Sequence, residues 1–415
     1  MRQILLPLCL LAVMTSCKKE DTDEGQLIPN NQAVSWIKTY GGSNYDFAKA
    51  VVQLPNGDYV IAGTTRSVDG DVPGNRVGYD PWITRIDSLG NRLWSNAFGT
   101  NADEHTGNFI ATPDGGFLLV GHTGFNFDTT SNQGWIIKTD GSGNPLWRKD
   151  FTSSNDSKIT DVVSTGDGYL AAGYTTTSQG RDGWIIKLDG NGNQQWSKTY
   201  GGSKEDQIAC IISSGDGGFI ASGYSASSDS HISSNKGGMD GWIMKIDAGG
   251  GLQWSKTFGG SGKDYFKCIV AGSNGFVAVG NTTSSNGDVP MNHGNFDEWV
   301  IKIDFNGNKQ WVKTFGGAND EYVTSVVATP DGGYLSIGYT NSTNADVNRN
   351  SGDFGGWLIK MDGNGNKVAS STYGDNYDEL VDDIITTKDG GYLIAGQAFR
   401  PSKTYDAWMV KINGM

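Results

Sequence analysis

From residue 34 onward, short apolar runs alternate with clusters of Gly, Asn, Asp and Ser, and no stretch carries its apolar residues at helical spacing. That pattern predicts strands joined by turns. The runs recur in a fixed order. A Trp-bearing run such as QWSKTYGG (195–202) is followed by an apolar run such as KAVVQL or TSVVAT, then by an Asx-Gly pair and a second apolar run such as YVIAG or YLSIG. A loop of variable length leads to a third run of the GWIIKLD type, and a turn, typically GNGN, returns the chain to the next Trp run.

The Asx-Gly pairs are Asn56-Gly57, Asp114-Gly115, Asp167-Gly168, Asp216-Gly217, Asn274-Gly275, Asp331-Gly332 and Asp389-Gly390. Such a pair between two β-rich runs is a strong hairpin signal, because both residues tolerate positive φ. One Trp column is Trp36, Trp94, Trp147, Trp196, Trp254 and Trp311, with Ala369 in the seventh slot; the other is Trp82, Trp135, Trp184, Trp242, Trp299, Trp357 and Trp408. Together they account for all 13 Trp. Intervals of 49 to 58 residues in the first column, four short strands per unit and seven units predict a seven-bladed, all-β propeller. A blade must bury both faces, so a large aromatic at a fixed strand position is a packing requirement repeated once per blade. The propeller is expected over 34–415, and pairing of the first strand (34–40) with the last (407–413) is expected to close it, which removes exposed sheet edges.

The W-x-K-T-[YF]-G-G and D-G-W-[IV]-[IV]-K-[IL]-D signatures resemble β-propeller repeats of secreted and surface proteins of bacteria. The stretch KLDGNGNQQW is similar to the tryptophan docking motif of quinoprotein-type propellers. The resemblance implies the fold and no particular activity. Unit seven departs from it, with Ala369 for Trp and STYGDN for the usual phrase.

The first residues read as an address. MRQILLPLCLLAVMTSC has one early cation, Arg2, an apolar stretch too short to span a bilayer, and small residues before Cys17, the pattern of a secretory signal. Its end resembles a bacterial lipobox, which implies cleavage after residue 16 and lipidation of Cys17. Residues 17–33 then form a tether, and KKEDTDEG within it resembles the export tract of lipoproteins carried to the outer face of a Gram-negative outer membrane. The expected location is that surface, with membrane contact through the lipid anchor only.

Composition narrows the partner. With 32 Lys and Arg against 45 Asp and Glu the net charge is −13, which argues against nucleic acid. Only Cys210 and Cys268 fall in the repeats, at one repeat position in adjacent units. They are read as two small buried residues, with an interblade disulfide as the alternative.

No catalytic constellation emerges. GGSGKD (259–264) is the local form of a recurring GGSxxD phrase and lacks the spacing of a phosphate loop. TPDGGFLL and its relatives lack the aromatic that closes an Asp box. The histidines, at 105, 122, 231 and 293, share no repeat position and no zinc spacing. Function is therefore expected in the loops between the second and third strands, long in RSVDGDVPGNRVGYD, SDSHISSNKGGMD, SSNGDVPMNHGNFD and STNADVNRNSGDF. The candidate binding face comprises Asp69, Asp71, Tyr79, Asp288, Phe296, Asp346 and Phe354, with Phe125, Phe127 and Tyr405 as further free aromatics. Asp69, Asp71, Asn286 and Asp288 are weak Ca²⁺ candidates, as hard oxygen donors, set against their role as turn formers. The expected function is a non-catalytic scaffold presenting this face to a protein or glycan. The alternative is an enzyme acting on extracellular polysaccharide through acidic loop residues.

Overall fold

The computed structural model describes residues 34–72, 78–124, 132–151, 156–347, 354–374, 378–400 and 404–414. Among them lie 28 strands, β1 to β28 in chain order. They form seven four-stranded antiparallel sheets, whose innermost strands pack in succession around a ring. The protein is a seven-bladed β-propeller.

The first blade shows how the sequence builds one. Strands β2 (Asp46–Gln53), β3 (Tyr59–Thr65), β4 (Asp80–Ile86) and β5 (Arg92–Ala97) pair in that order from the central channel outward. Every residue of β3, and all of β4 except Arg85, is buried. Neighbouring blades cover both faces, so the middle strands read as continuous apolar runs rather than alternating ones. Each inner strand carries a register shift of the kind seen between Ala48 and Ala50. The residue following the bulge meets the next blade. Asn108 donates to Asp161 at 2.6 Å, Asp161 accepts the Ile211 N–H at 2.7 Å, Ser325 donates to Asp383 at 3.0 Å and Asp383 accepts the Val51 N–H at 3.1 Å. Cys210 and Cys268 occupy this column as free thiols, with sulfur atoms 3.9 Å apart.

The outer-strand Trp column docks each blade onto the next. Trp36, Trp94, Trp147, Trp196, Trp254 and Trp311 lie against Gly90, Gly143, Gly192, Gly250, Gly307 and Gly365, the turn glycines of the adjacent blade. Those glycines have φ between +74° and +80°, and a Cβ on any of them would stand 2.7 to 3.3 Å from the indole. Only Gly meets both demands.

Closure occurs in blade seven. Strand β1 (Val34–Tyr40) pairs with β28 (Tyr405–Ile412), from Val34 opposite Ile412 to Tyr40 opposite Ala407. It completes a sheet with β26 (Glu379–Thr386) and β27 (Tyr392–Phe399). The sequence repeat and the blade are thus one strand out of step. This accounts for Ala369. In strand β25 (Lys367–Tyr373) of blade six it would dock on the turn between the third and fourth strands of blade seven. Those strands are β28 and β1, which no turn connects.

Candidate binding face

Loops leaving the second strand and turns entering the inner strand share one face of the ring. The long loops of units one, four, five and six hold a common anchor: Asp69-Gly70-Asp71-Val72, Asp229-Ser230-His231-Ile232, Asn286-Gly287-Asp288-Val289 and Asn344-Ala345-Asp346-Val347. The last residue of each is at most 3% exposed and plugs the loop into the core. The first caps the GGS turn, where Asp69, Asp229, Asn286 and Asn344 accept backbone N–H groups of Ser43, Ser203, Ser261 and Ala318 at 2.7 to 2.9 Å.

The third anchor residue ties the same turn down. Asp71 accepts Gly41 N–H and pairs with Arg92 at 2.8 Å. Asp288 accepts Gly259 N–H at 3.2 Å and pairs with Lys236 and Lys309. Asp346 accepts Gly316 N–H at 3.2 Å and pairs with Lys367. The acidic candidates Asp69, Asp71, Asp288 and Asp346, and the Ca²⁺ candidate Asn286, are therefore engaged as turn caps. In GGSGKD, the N–H groups of Gly260, Ser261 and Gly262 go to Asp264, Asn286 and Ser284.

The aromatic candidates behave differently. Tyr79 and Tyr405 belong to one arc around the channel mouth, Phe296 and Phe354 to another. In the first arc Tyr79 stacks on Phe47, centroids 6.1 Å apart and 12° from parallel, and meets His105 at 5.3 Å. Tyr405 lies 6.4 Å from Tyr45 and 5.2 Å from Phe399. His105 and His122 stack at 5.5 Å, and Arg66 lies over Tyr79. In the second arc Tyr265, Phe296 and Tyr322 follow one another at 6.0 and 5.5 Å, and Tyr322, Tyr339 and Phe354 at 5.3 and 5.5 Å. Between the arcs Arg181 stacks on Tyr174 at 4.4 Å and pairs with Asp156. The rings of both arcs are half-buried, so each keeps an edge or face in water. Burial holds the pKa of His105 down to about 4, leaving its ring neutral at pH 7. Phe125, Phe127 and Cys17 lie outside the described residues.

Carboxylates also meet near this face. Asp46 faces Asp406, Asp206 faces Asp182, Asp264 faces Asp240 and Glu321 faces Asp297, each pair across one blade junction. Burial first and like charge second raise Asp182, and burial raises Asp240 and Asp406 to about 6. These groups brace the turns: Asp46 accepts Gly42 N–H at 2.8 Å and the Ser67 hydroxyl at 2.7 Å, and Asp264 repeats the pattern with Gly260 and Ser284. Asp46, Asp206, Asp240, Asp264, Asp297 and Glu321 have no exposed surface. Recurrence at four junctions and the enclosure of these six mark the pairs as architecture, with Asp182 slightly and Asp406 partly exposed.

The sequence reading missed Tyr45, Phe47, His105, Tyr265, Tyr322 and Tyr339. Phe47, His105, Tyr265 and Tyr322 share one repeat column, directly after the acidic residue that opens an inner strand. Lys158, Gln207 and Leu380 complete it. A column that varies while its neighbours repeat marks a position the scaffold leaves free.

No family model and no curated protein matches the chain. Solved structures match its shape. A protein of unknown function from Dyadobacter fermentans superposes with a TM-score of 0.54 at 10% identity, over 94% of this chain and all of that one. The Neurospora crassa Pan2 WD40 domain gives 0.52 at 12% identity, over 92% and 97%. Sqt1 from Chaetomium thermophilum gives 0.50 at 10% identity, over 93% and 100%. At such identities the likeness concerns the fold alone.

Proposed function

We propose that this is a non-catalytic surface lipoprotein, anchored through Cys17 to the outer membrane of a Gram-negative bacterium, whose propeller binds an extended glycan at the aromatic channel mouth. The observation that carries the binding role is the pair of part-exposed aromatic arcs on one face. A folded chain gains by hiding such rings, so leaving more than ten at one opening favours a contact surface. Flat rings set about 5 to 6 Å apart suit the C–H faces of successive sugars, and stacking on rings needs no change of shape in the scaffold. The alternative of a polysaccharide-active enzyme calls for exposed carboxylates that converge on substrate. Six of the eight carboxylates that converge across the junctions have no exposed surface, and the four that open inner strands are held as turn braces.

The test is a saccharide array probed with protein lacking residues 1–17, followed by titration of each hit against Phe296→Ala and Tyr79→Ala. Loss of about 1 to 3 kcal/mol of binding in each variant, with unchanged melting, is expected of central aromatic contacts. Capture of a protein partner with no saccharide hit would move the assignment from glycan to protein. For the anchor, Cys17→Ala is expected to abolish acyl labelling and release the protein from membranes; unchanged labelling would refute the lipid anchor.

A further inference from the structure

The channel beneath the aromatic mouth is cationic in a chain of net charge −13. Inner strands alternate between residues buried against the next blade and residues turned to the channel, as the pattern BiBiBBii of β2 shows. At the fourth position these channel residues include Lys49 of blade one, Lys267 of blade five and Asp382 of blade seven. After burial, the charge of Lys49 also lowers the pKa of Lys267 although two blades separate them, and Asp382 acts on Lys267 in the opposite sense, as expected of groups that share the channel. Lys49 is neutralised by Asp382 at 2.7 Å. Lys267 has no ion pair among the described residues; its ammonium lies 5.4 Å from the Tyr265 ring centroid, just inside the second arc. Lys267 is reached by water yet ringed by protein, and burial lowers its pKa. Lys158, in the Tyr265 column two residues nearer the mouth, adds a further positive charge.

Lys267 is exposed on the channel wall, close enough to Asp382 to feel its charge but not paired with it, and the surrounding protein walls concentrate its field on whatever enters the channel. We infer that the mouth takes an anionic saccharide of the uronic acid class, with Lys267 receiving the sugar carboxylate while Tyr265 and Tyr322 stack on the sugar rings. This rests on the proposed glycan-binding role and names its substrate class. Charge complementarity selects the acid, and the adjoining rings select a sugar over a simple carboxylate.

The experiment uses the full chain in detergent and titrates fragments of polygalacturonate, alginate and hyaluronan beside the carboxyl-reduced, neutral form of each. At least one acidic fragment is expected to bind tenfold or more tightly than its reduced form, with affinity falling as salt rises. Lys267→Met is expected to remove that preference and Lys267→Arg to keep it, both with wild-type melting. If acidic and reduced fragments bind alike, or the preference survives Lys267→Met, the acidic assignment is overturned while glycan binding stands. If no fragment of either kind binds but neutral glycans do on the array, the acidic assignment again fails alone. Absence of any saccharide binding overturns both.

Discussion

Two residues carry costs that some of their counterparts in the repeat avoid, although Ser230, at φ +55°, shares that of Ala345. Ala345 has φ +57° in the anchor slot where units one and five place Gly70 and Gly287, at +68° and +69°. A left-handed conformation costs an L-residue about 1–2 kcal/mol, whereas Gly gives back about 0.5–1 kcal/mol through unfolded-state entropy. Ala345→Gly is thus expected to raise stability by roughly 0.5–1 kcal/mol, read as a higher denaturant midpoint at unchanged slope. Glu298 is the second case. It is 1% exposed and its Oε1 has no hydrogen-bond partner, at a position filled by Gly183, Gly241 and Gly356 in other blades. Burial, with Asp346 and Glu321 adding to it, raises its pKa to about 8. The native state then holds a proton that the unfolded state releases near pH 4.3. Its effect is a loss of stability as pH rises from about 4.3 to about 8, constant beyond. Glu298→Gln is expected to flatten that slope and to stabilise the protein most at pH 8 and above, by a few kcal/mol in order of magnitude. Parallel pH profiles for the two proteins would place the titration elsewhere.

At the scale of the element, the unit of cohesion is a strand docked on its neighbour's turn. Gly307 and Gly332 separate the two reasons for glycine, since both have φ near +80°, yet a Cβ would meet Trp254 at 2.9 Å in the first and nothing within 4 Å in the second. Gly332→Ala should cost about 1 kcal/mol, the backbone penalty alone. Gly307→Ala should cost about 2–3 kcal/mol, because the indole must also move from a packed position. Equal losses in thermal melts would mean that the docking contact is dispensable. The strands and these turns were legible because hairpin chemistry and Trp spacing are local and recur. The binding face was legible only in part. Asp and Asn in a Gly-rich loop look the same whether they are free or capping a distant turn, so Asp71 and Asp288 read as available when their oxygens are taken. The residues of the mouth were hidden for the opposite reason: Phe47, Tyr265 and Tyr322 sit in apolar strands, and only the ring turns them toward water.

For the whole molecule, closure by β1 and β28 leaves one junction built differently from the rest. Six junctions carry Trp on Gly; the seventh has Ala369 because the turn that would receive an indole is missing. Among the described residues, a side-chain bond from Ser35 to Asn413, at 2.6 Å, links the strands at that end, beyond their ladder. Deleting residues 31–41 should therefore expose the edge of β28 and destabilise the whole ring, seen as one cooperative transition at lower denaturant. A circular permutant tests the reasoning more finely. Joining Asn413 to Val34 through a Gly-Asn-Gly turn and opening the chain at Gly332 supplies the missing receptor. The permutant is expected to fold, since the joined strands are already paired. Within it, Ala369→Trp should gain about 1–2 kcal/mol, the scale of burying part of an aromatic ring. In the natural connectivity the same substitution has no turn to dock on and should gain nothing. A gain in both backgrounds would show that the indole packs on the blade itself, and that Trp at the other six junctions does not depend on the turn glycine.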